Sequence, residues 1–252
     1  MITLTRYGIR EWGGGGLIAL VLLAGCYFLM QKGYFYWGLI PGILIILIYL
    51  FVAFFFRNPH RTLPTNPEFL LSPADGVVRD ITVIDDFDQA PFEKGSKVVR
   101  IGIFLSVLDV HVNRTSAELQ VVSKHYREGR YLDARNPDCA RENEAMTIAG
   151  NASVCGVKFP MAIRQISGAI ARRIVCPVEP GTVLARGKIY GMIKFGSRTE
   201  LYLPADERFE VMVKEGDAVR GGSSVLACLR KTAENAQAPE IVTNNESETA
   251  DK

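Results

Sequence analysis

The chain has 252 residues, of which 48% are hydrophobic, so it is too apolar for a disordered protein. Residues 1–56 hold three basic side chains and one acidic one, and the rest of the chain holds 26 of each sign. A body with balanced charge offers no basic face to a nucleic acid. The five cysteines form no C-x-x-C pair and there are only three histidines, which argues against a disulfide framework and a metal centre and fits a reducing compartment.

Two uncharged segments open the sequence, at residues 13–30 and 34–56. At the rise of an α-helix, about 18 and 23 residues extend roughly 27 and 34 Å, enough to cross a hydrocarbon core. We therefore expect a membrane anchor over residues 1–56, formed by a hairpin of two transmembrane helices. The alternative is a single span made by the second segment alone. A signal peptide is disfavoured because no small-x-small cleavage site follows the first segment.

Basic residues flank this hairpin at its outer ends. Arg6 and Arg10 precede the first segment, Arg57 and Arg61 follow the second, and Lys32 alone occupies the turn. The positive-inside rule then predicts that both chain termini lie in the cytoplasm. We expect an inner-membrane protein whose body faces the cytosol, and a body that folds without the anchor.

Residues 57–231 form short β-rich runs separated by Gly, Pro and Asp, which predicts a mainly β domain with a few short helices. One helical stretch is expected near residues 160–173 and one helical turn near 138–147. Residues 232–252 hold five acidic side chains, one lysine and no aromatic residue, which predicts a disordered acidic tail.

An internal repeat relates residues 179–193 to residues 214–228 at an offset of 35. The matching positions are Gly181 with Gly216, Leu184 with Val219, and Gly187 with Gly222. Repeated G-x-x-(V/L)-x-x-G hairpins are typical of barrel-sandwich folds such as lipoyl and biotinyl carriers. No lysine stands at a hairpin tip in the carrier context, so the pattern predicts the fold rather than a swinging-arm function.

Three short segments carry reactive side chains: Asp75 in a turn before a strand, His111 at the end of an apolar strand, and Ser197 after Gly196. Each has an ordinary structural explanation when taken alone. A turn aspartate bonds its own backbone, a histidine among apolar residues is often part of the core, and Gly-Ser is a common turn.

Together, these segments resemble the phosphatidylserine decarboxylase family, in its short, membrane-anchored bacterial form. The resemblance runs from about Phe55 to Leu229, and its most specific element is FGSR after a G-x-I-x-G-x-I strand. The other segments that carry it are FFRNPHR, LLSPADGVV, IFLSVLDVHVNR, ENE at residues 142–144, ISGAIARRIV and EGDAVRGGSSVLA.

The resemblance implies that the chain cuts itself between Gly196 and Ser197, which converts Ser197 to a pyruvoyl group. The family's Asp-His-Ser arrangement corresponds here to Asp75, His111 and Ser197. Glycine before the serine leaves room for the attack, and the serine needs a positioned base. Better-studied long members have two histidines spaced three apart in this region, whereas only His111 is present here, so one residue is a candidate for both self-cleavage and reprotonation.

The implied activity is the decarboxylation of phosphatidylserine to phosphatidylethanolamine. The pyruvoyl carbonyl forms a Schiff base with the serine amine and accepts the electrons left by carbon dioxide, with no metal required. Candidate contacts to the lipid are Arg172, Arg173 and Arg198, which suit a phosphate, and Asn143 in the ENE segment. Ala145 stands where the family often has an arginine.

The same resemblance implies a heterodimer of the two self-cleavage chains and leaves open a higher oligomer. Archaetidylserine decarboxylation stays open, because the sequence shows nothing that reads an ester or ether linkage. A non-catalytic membrane adaptor with a barrel-sandwich domain is the alternative from another class of protein. A Ser-His-Asp hydrolase is disfavoured, since no G-x-S-x-G element surrounds Ser197.

Overall fold

The computed structural model describes residues 2–130, 132, 138–168, 173–194 and 196–230. The predicted acidic tail at residues 232–252 and the candidate phosphate ligand Arg172 lie outside the described residues.

Two apolar helices begin the fold, α1 at Gly14–Gln31 and α2 at Phe35–Phe55. Both are long and apolar enough to cross a membrane. Strand β1 (Ile2–Leu4) pairs antiparallel with β2 (Arg57–Pro59), so the segment before α1 is tied to the segment after α2. The chain entrance and the exit of the helix pair therefore lie side by side.

The rest of the described chain is mainly β, as expected. Its strands and single short helix are β3 (Phe69–Leu71), β4 (Gly76–Phe87), β5 (Ser96–Leu105), β6 (Val112–Arg114), β7 (Glu118–Arg127), α3 (Cys139–Glu142), β8 (Ala145–Val154), β9 (Val157–Ser167), β10 (Ile174–Val175), β11 (Val183–Leu184), β12 (Ile189–Ile193), β13 (Ser197–Pro204), β14 (Phe209–Val211), β15 (Ala218–Val219) and β16 (Val225–Leu229). The short helix α3 lies inside the region where a helical turn was expected.

An eight-stranded sheet in the order β11-β7-β8-β9-β13-β5-β4-β15 carries most of these strands. Two three-stranded sheets, β10-β12-β6 and β14-β16-β3, complete a sandwich-like arrangement without a closed barrel among the described residues. One hydrophobic core joins the large sheet to both small ones, through residues such as Ile103, Ile163, Leu201, Tyr190 and Leu226. The predicted fold class is thus confirmed, with open sheets in place of a barrel.

The internal repeat is visible in the backbone. Gly181 and Gly216 have φ of +91° and +92°, and Gly187 and Gly222 have φ of +73° and +77°, a conformation that favours glycine. The strands of each repeat do not pair with each other, so the expected hairpins are wrong. Instead β11 and β15 form the two edges of the large sheet, while β12 and β16 form the centres of the small ones.

The predicted helix near residues 160–173 is also wrong, because residues 157–167 form strand β9 in the middle of the large sheet. Phe159, Met161 and Ile163 face the main core, and Ala162 packs against a second cluster on the opposite face. This central strand is largely buried on both faces, so its sequence lacks the regular polar alternation that marks a half-exposed strand.

Candidate active site

Ser197 is the first residue of β13 and lies between two neighbouring strands. It pairs with Leu105 at the end of β5 and with Ser167 at the end of β9. The side chain is fully buried, and its Oγ has no hydrogen-bond partner within the described structure. A buried hydroxyl without a partner costs free energy, and this one belongs to the serine of the predicted cleavage site.

Gly196 turns the chain into β13 with φ of +58°. An added Cβ would meet no atom within 4 Å, so it is the backbone conformation rather than the available space that favours glycine here. The Gly196–Ser197 peptide therefore joins a left-handed turn directly to a central strand.

His111 lies in the loop between β5 and β6, and its ring is fully buried. The ring packs against Phe55 of α2, with 4.4 Å between the ring centroids. Nδ1 lies 2.9 Å from the carbonyl oxygen of Asp109. Because a carbonyl oxygen only accepts, Nδ1 carries the proton and Nε2 presents a lone pair. No polar atom of the described chain bonds this Nε2.

Burial lowers the pKa of His111 from 6.5 to about 4, against the opposing effect of its hydrogen bond to Asp109. The imidazole is therefore neutral at pH 7 and able to accept a proton.

The fold holds His111 and Ser197 at one end of the sandwich. The carbonyl oxygen of His111 accepts a hydrogen bond of 3.1 Å from the backbone N–H of Ile193, the last residue of β12, and Ser197 follows Ile193 after a three-residue connection. Asn113 in β6 and Thr199 in β13 lie two residues after His111 and Ser197. Asn113 Nδ2 donates a hydrogen bond to Thr199 Oγ1 at 2.9 Å. Ser197 thus offers an unpaired O–H donor and His111 an unpaired acceptor at the same end.

Asp75 lies in the turn between β3 and β4 and does not contact His111. Its carboxylate pairs with Arg61 at 2.5 Å and accepts a hydrogen bond from the Gly221 N–H at 2.8 Å. Burial raises the pKa of Asp75 and outweighs the opposing effect of Arg61. In this structure the His111 ring is held by the Asp109 carbonyl, and the catalytic role of Asp75 stays a prediction.

A cavity of about 590 Å³ opens between Asp75 and Asp109, with Arg220 at its wall. Asp109 therefore both lines this cavity and accepts the hydrogen bond from the ring of His111, the candidate base.

The whole of this site lies within a region of clear sequence similarity. The family model for phosphatidylserine decarboxylase matches residues 48–227. The phosphatidylserine decarboxylase proenzyme of Carboxydothermus hydrogenoformans is 45% identical over 192 residues, which cover 75% of this chain and 84% of that protein. The proenzyme of Rhodopirellula baltica is 40% identical over 222 residues, which cover 88% and 86%.

The chain belongs to the phosphatidylserine decarboxylase family. The prediction of an enzyme from this carboxy-lyase family is thereby confirmed. The relatives carry the word proenzyme in their names, which denotes a precursor that is processed.

Arg198 follows Ser197 in the predicted cleavage motif, but it lies on the opposite face of β13. Its guanidinium is almost fully buried and pairs with Asp80 at 2.7 Å and Glu200 at 2.9 Å. Both carboxylates raise the pKa of Arg198, against the lowering effect of burial. The Arg198 guanidinium is thus engaged by two carboxylates in this structure, and its assignment as a lipid contact stays a prediction.

Asn143 is fully buried beside the end of β9. Its side-chain amide donates to the carbonyl oxygens of Leu132 and Ser167, and its oxygen accepts from the Leu132 N–H, at 2.7–2.8 Å. In this structure Asn143 therefore ties backbone segments together. Arg173 is exposed, and its carbonyl oxygen accepts a hydrogen bond from the Lys194 N–H at 3.2 Å, close to the cleavage motif.

The sequence interpretation missed a buried polar group around Ser197. Asn113 Oδ1 accepts from Gln165 Nε2 at 2.8 Å, which extends the Asn113–Thr199 contact across β6, β9 and β13. The available signal was weak, because Gln165 and Thr199 lie in strands that contain other polar residues as well. Phe55 was not among the candidate site residues, although its ring packs against His111.

Proposed function

We propose that this chain decarboxylates phosphatidylserine to phosphatidylethanolamine after cutting itself between Gly196 and Ser197. The observation that carries the proposal is a pair of buried atoms without partners, Ser197 Oγ and His111 Nε2, at the motif shared with the family. One is a hydroxyl that needs a base, and the other is a neutral base whose opposite nitrogen is held by Asp109.

In the self-cleavage step, His111 Nε2 accepts the proton of the Ser197 hydroxyl while Oγ attacks the carbonyl carbon of Gly196. The C–N bond breaks, the nitrogen of Ser197 takes the proton, and an ester replaces the amide. Removal of the Ser197 α-proton then expels the Gly196 carboxylate, which leaves dehydroalanine at position 197. Addition of water and loss of ammonia produce a pyruvoyl group at the head of the short chain.

The pyruvoyl group supplies a carbonyl that accepts the electron pair left when carbon dioxide departs. His111 takes a proton from the substrate ammonium, which frees the amine, and returns a proton to the α-carbon after carbon dioxide has left. A neutral imidazole with its Nδ1 fixed by Asp109 suits both transfers through Nε2. Asp75 acts as a positioning residue, because it ties Arg61 after the anchor to the turn at Gly221.

The two apolar helices, each long enough to cross a membrane, support a membrane location for this chemistry. We assign them as a hairpin anchor in the inner membrane with the body on the cytoplasmic side, as the flanking arginines predict. The pairing of β1 with β2 supports this assignment, because it keeps both ends of the hairpin on one side. The mature enzyme is then a heterodimer of a chain ending at Gly196 and a chain beginning at position 197.

Intact mass of the purified protein tests the proposal. We expect two chains, and the short one lighter by one ammonia than a hydrolysis product because a ketone replaces the serine amine. Ser197→Ala should remain one inactive chain. Ser116→Ala is the matched control, since Ser116 is also fully buried with an Oγ that lacks a partner among the described residues, and it should mature normally.

Two results would contradict the mechanism: an active enzyme with an intact Gly196–Ser197 bond, or a short chain that retains a free serine amine. Borohydride added with phosphatidylserine should attach the lipid to the short chain and abolish activity, and it should leave Ser197→Ala unlabelled.

A further inference from the structure

Lys194 stands two residues before Gly196 and is almost fully buried, with 8% of its side chain exposed. Its ammonium pairs with the carboxylate of Glu11 and lies 5.8 Å from the ring centroid of Phe56. Glu11 belongs to a turn of π-helix at Ile9–Gly13 that leads into α1. An ion pair therefore joins the root of the membrane anchor to the cleavage motif.

We propose that Glu11 is a positioning residue for self-cleavage, which holds Lys194 and through it the Gly196–Ser197 bond. This inference rests on the proposed function above and extends it. It makes the anchor a part of the processing site, so that the chain matures when the segment before α1 is docked on the body.

The backbone holds Glu11 in place independently of the ion pair. The β1–β2 pairing and a hydrogen bond of 2.9 Å from the Thr5 N–H to the Phe56 carbonyl oxygen fix the segment. Trp12 Nε1 donates to the carbonyl oxygen of Thr5 at 3.0 Å, which closes the turn that contains Glu11. Loss of the Glu11 charge should therefore leave this segment docked.

The same segment also reaches the candidate base through apolar contacts. Tyr7 and Trp12 pack on a cluster that contains Phe55, Phe56 and Met192 of β12. The ring of Phe55 in turn covers the ring of His111. The segment before α1 thus contacts β12, the strand that leads to Ser197. It also contacts Phe55, the residue whose ring packs on His111.

The electrostatic argument concerns a buried cation. An ammonium removed from water is unfavourable unless an opposite charge is close. Glu11 is the carboxylate in contact with Lys194 in the described structure, and Arg173, the other cation near Glu11, adds positive charge. Without Glu11, the Lys194 ammonium is hydrated more favourably when it turns towards solvent. We expect this movement to shift the backbone at Lys194 and, with it, Gly196.

The experiment follows self-cleavage of the full chain after synthesis into lipid nanodiscs. Glu11→Gln should slow the first-order conversion at least tenfold, whereas Arg10→Gln, which removes an exposed neighbouring charge, should convert at the wild-type rate. The exchange variant Glu11→Lys with Lys194→Glu should recover much of the rate, since it restores an ion pair between the same positions.

A second measurement works without cleavage. In a Ser197→Ala background, acetylation of the Lys194 amine by acetic anhydride should be slow, and Glu11→Gln should accelerate it at least fivefold by mass spectrometry. This readout reports the position of Lys194 even if a variant matures poorly for another reason.

The outcomes separate the two proposals. A wild-type chain that stays intact contradicts the proposed function. Wild-type cleavage with an unaffected Glu11→Gln, equal slowing by Arg10→Gln, or unchanged acetylation of Lys194 contradicts only the role of Glu11.

Discussion

At the scale of single residues, the site depends on one histidine whose two nitrogens have different surroundings. Nδ1 is committed to the Asp109 carbonyl, and Nε2 is buried without a partner among the described atoms. The sequence predicted His111 as a base but assigned its orientation to Asp75. Which oxygen lies next to a ring nitrogen depends on the path of the loop between β5 and β6, and motif spacing does not contain this information.

The low pKa of His111 predicts the pH dependence of self-cleavage. Nε2 must be unprotonated to accept the Ser197 proton, so the rate should be level from about pH 8 to pH 6 and fall by half near pH 4, where burial places the pKa. A histidine with an ordinary pKa would place this fall near pH 6.5. The rate is measured on full-length precursor that is first held at a pH where cleavage is suppressed and then shifted to each pH of the series.

Stability must be followed in the same pH series. Below about pH 6.5 an unfolded His111 binds a proton that the folded one refuses until about pH 4, so the folded chain loses stability over that window. Near-ultraviolet circular dichroism distinguishes unfolding from loss of the base. His125→Ala, at an exposed position, should leave the profile unchanged. A midpoint near pH 6.5 in folded protein would show that His111 is not the buried base.

Asp75 and Arg61 should act as a unit. Asp75→Asn keeps an acceptor for the Gly221 N–H but loses the ion pair, and Arg61→Gln loses the same ion pair from the other side. Each should slow self-cleavage, and the double variant should be no slower than the slower single one, because contacting residues are not additive. Multiplicative effects in the conversion rates would contradict this shared role.

At the scale of elements, β13 begins at Ser197, the proposed nucleophile, and the residue before it, Gly196, has a left-handed backbone conformation. Gly196→Ala adds a methyl group that meets no atom, but the left-handed φ costs an alanine about 1 kcal/mol. If that cost adds to the activation free energy of self-cleavage, the rate should fall by about fivefold.

Gly216→Ala is the matched control for this prediction. Gly216 has φ of +92° and equally open surroundings, but it lies in the turn before β15, at an edge of the large sheet. It should reduce stability by a similar amount and leave the conversion rate unchanged once the chain is folded. Equal rates for both alanine variants would show that Gly196 serves only the turn.

The sequence predicted some elements and not others for physical reasons. The glycines of the repeat were found because a positive φ restricts the residue type, and the four positions carry matching φ values in pairs. The strand partners were not found, since β11 pairs with β7 and β12 with β6, contacts that are distant in sequence. Strand β9 was mistaken for a helix because burial on both faces removes the alternation of a half-exposed strand.

At the scale of the whole molecule, the anchor and the body are less separate than composition suggests. The sequence changes abruptly from apolar to mixed after residue 56, which predicts a body that folds without the anchor. In the structure the boundary lies inside a packed cluster, where Phe55 and Phe56 are buried against Met192 and His111. Composition records where hydrophobicity changes, and packing decides which segments share a site.

Deletion of residues 1–56 should therefore slow self-cleavage at least tenfold, because it removes Phe55 from His111 and Glu11 from Lys194. Without the Phe55 ring, His111 is less buried, and its pKa should return towards the ordinary value because burial is what lowers it. The pH midpoint of the remaining cleavage should then move upward from about 4. Deletion of residues 232–252 is the control and should change neither the rate nor the midpoint. A truncated body that matures at the full rate with an unchanged midpoint would restore the simpler picture, in which the anchor only delivers the enzyme to its lipid.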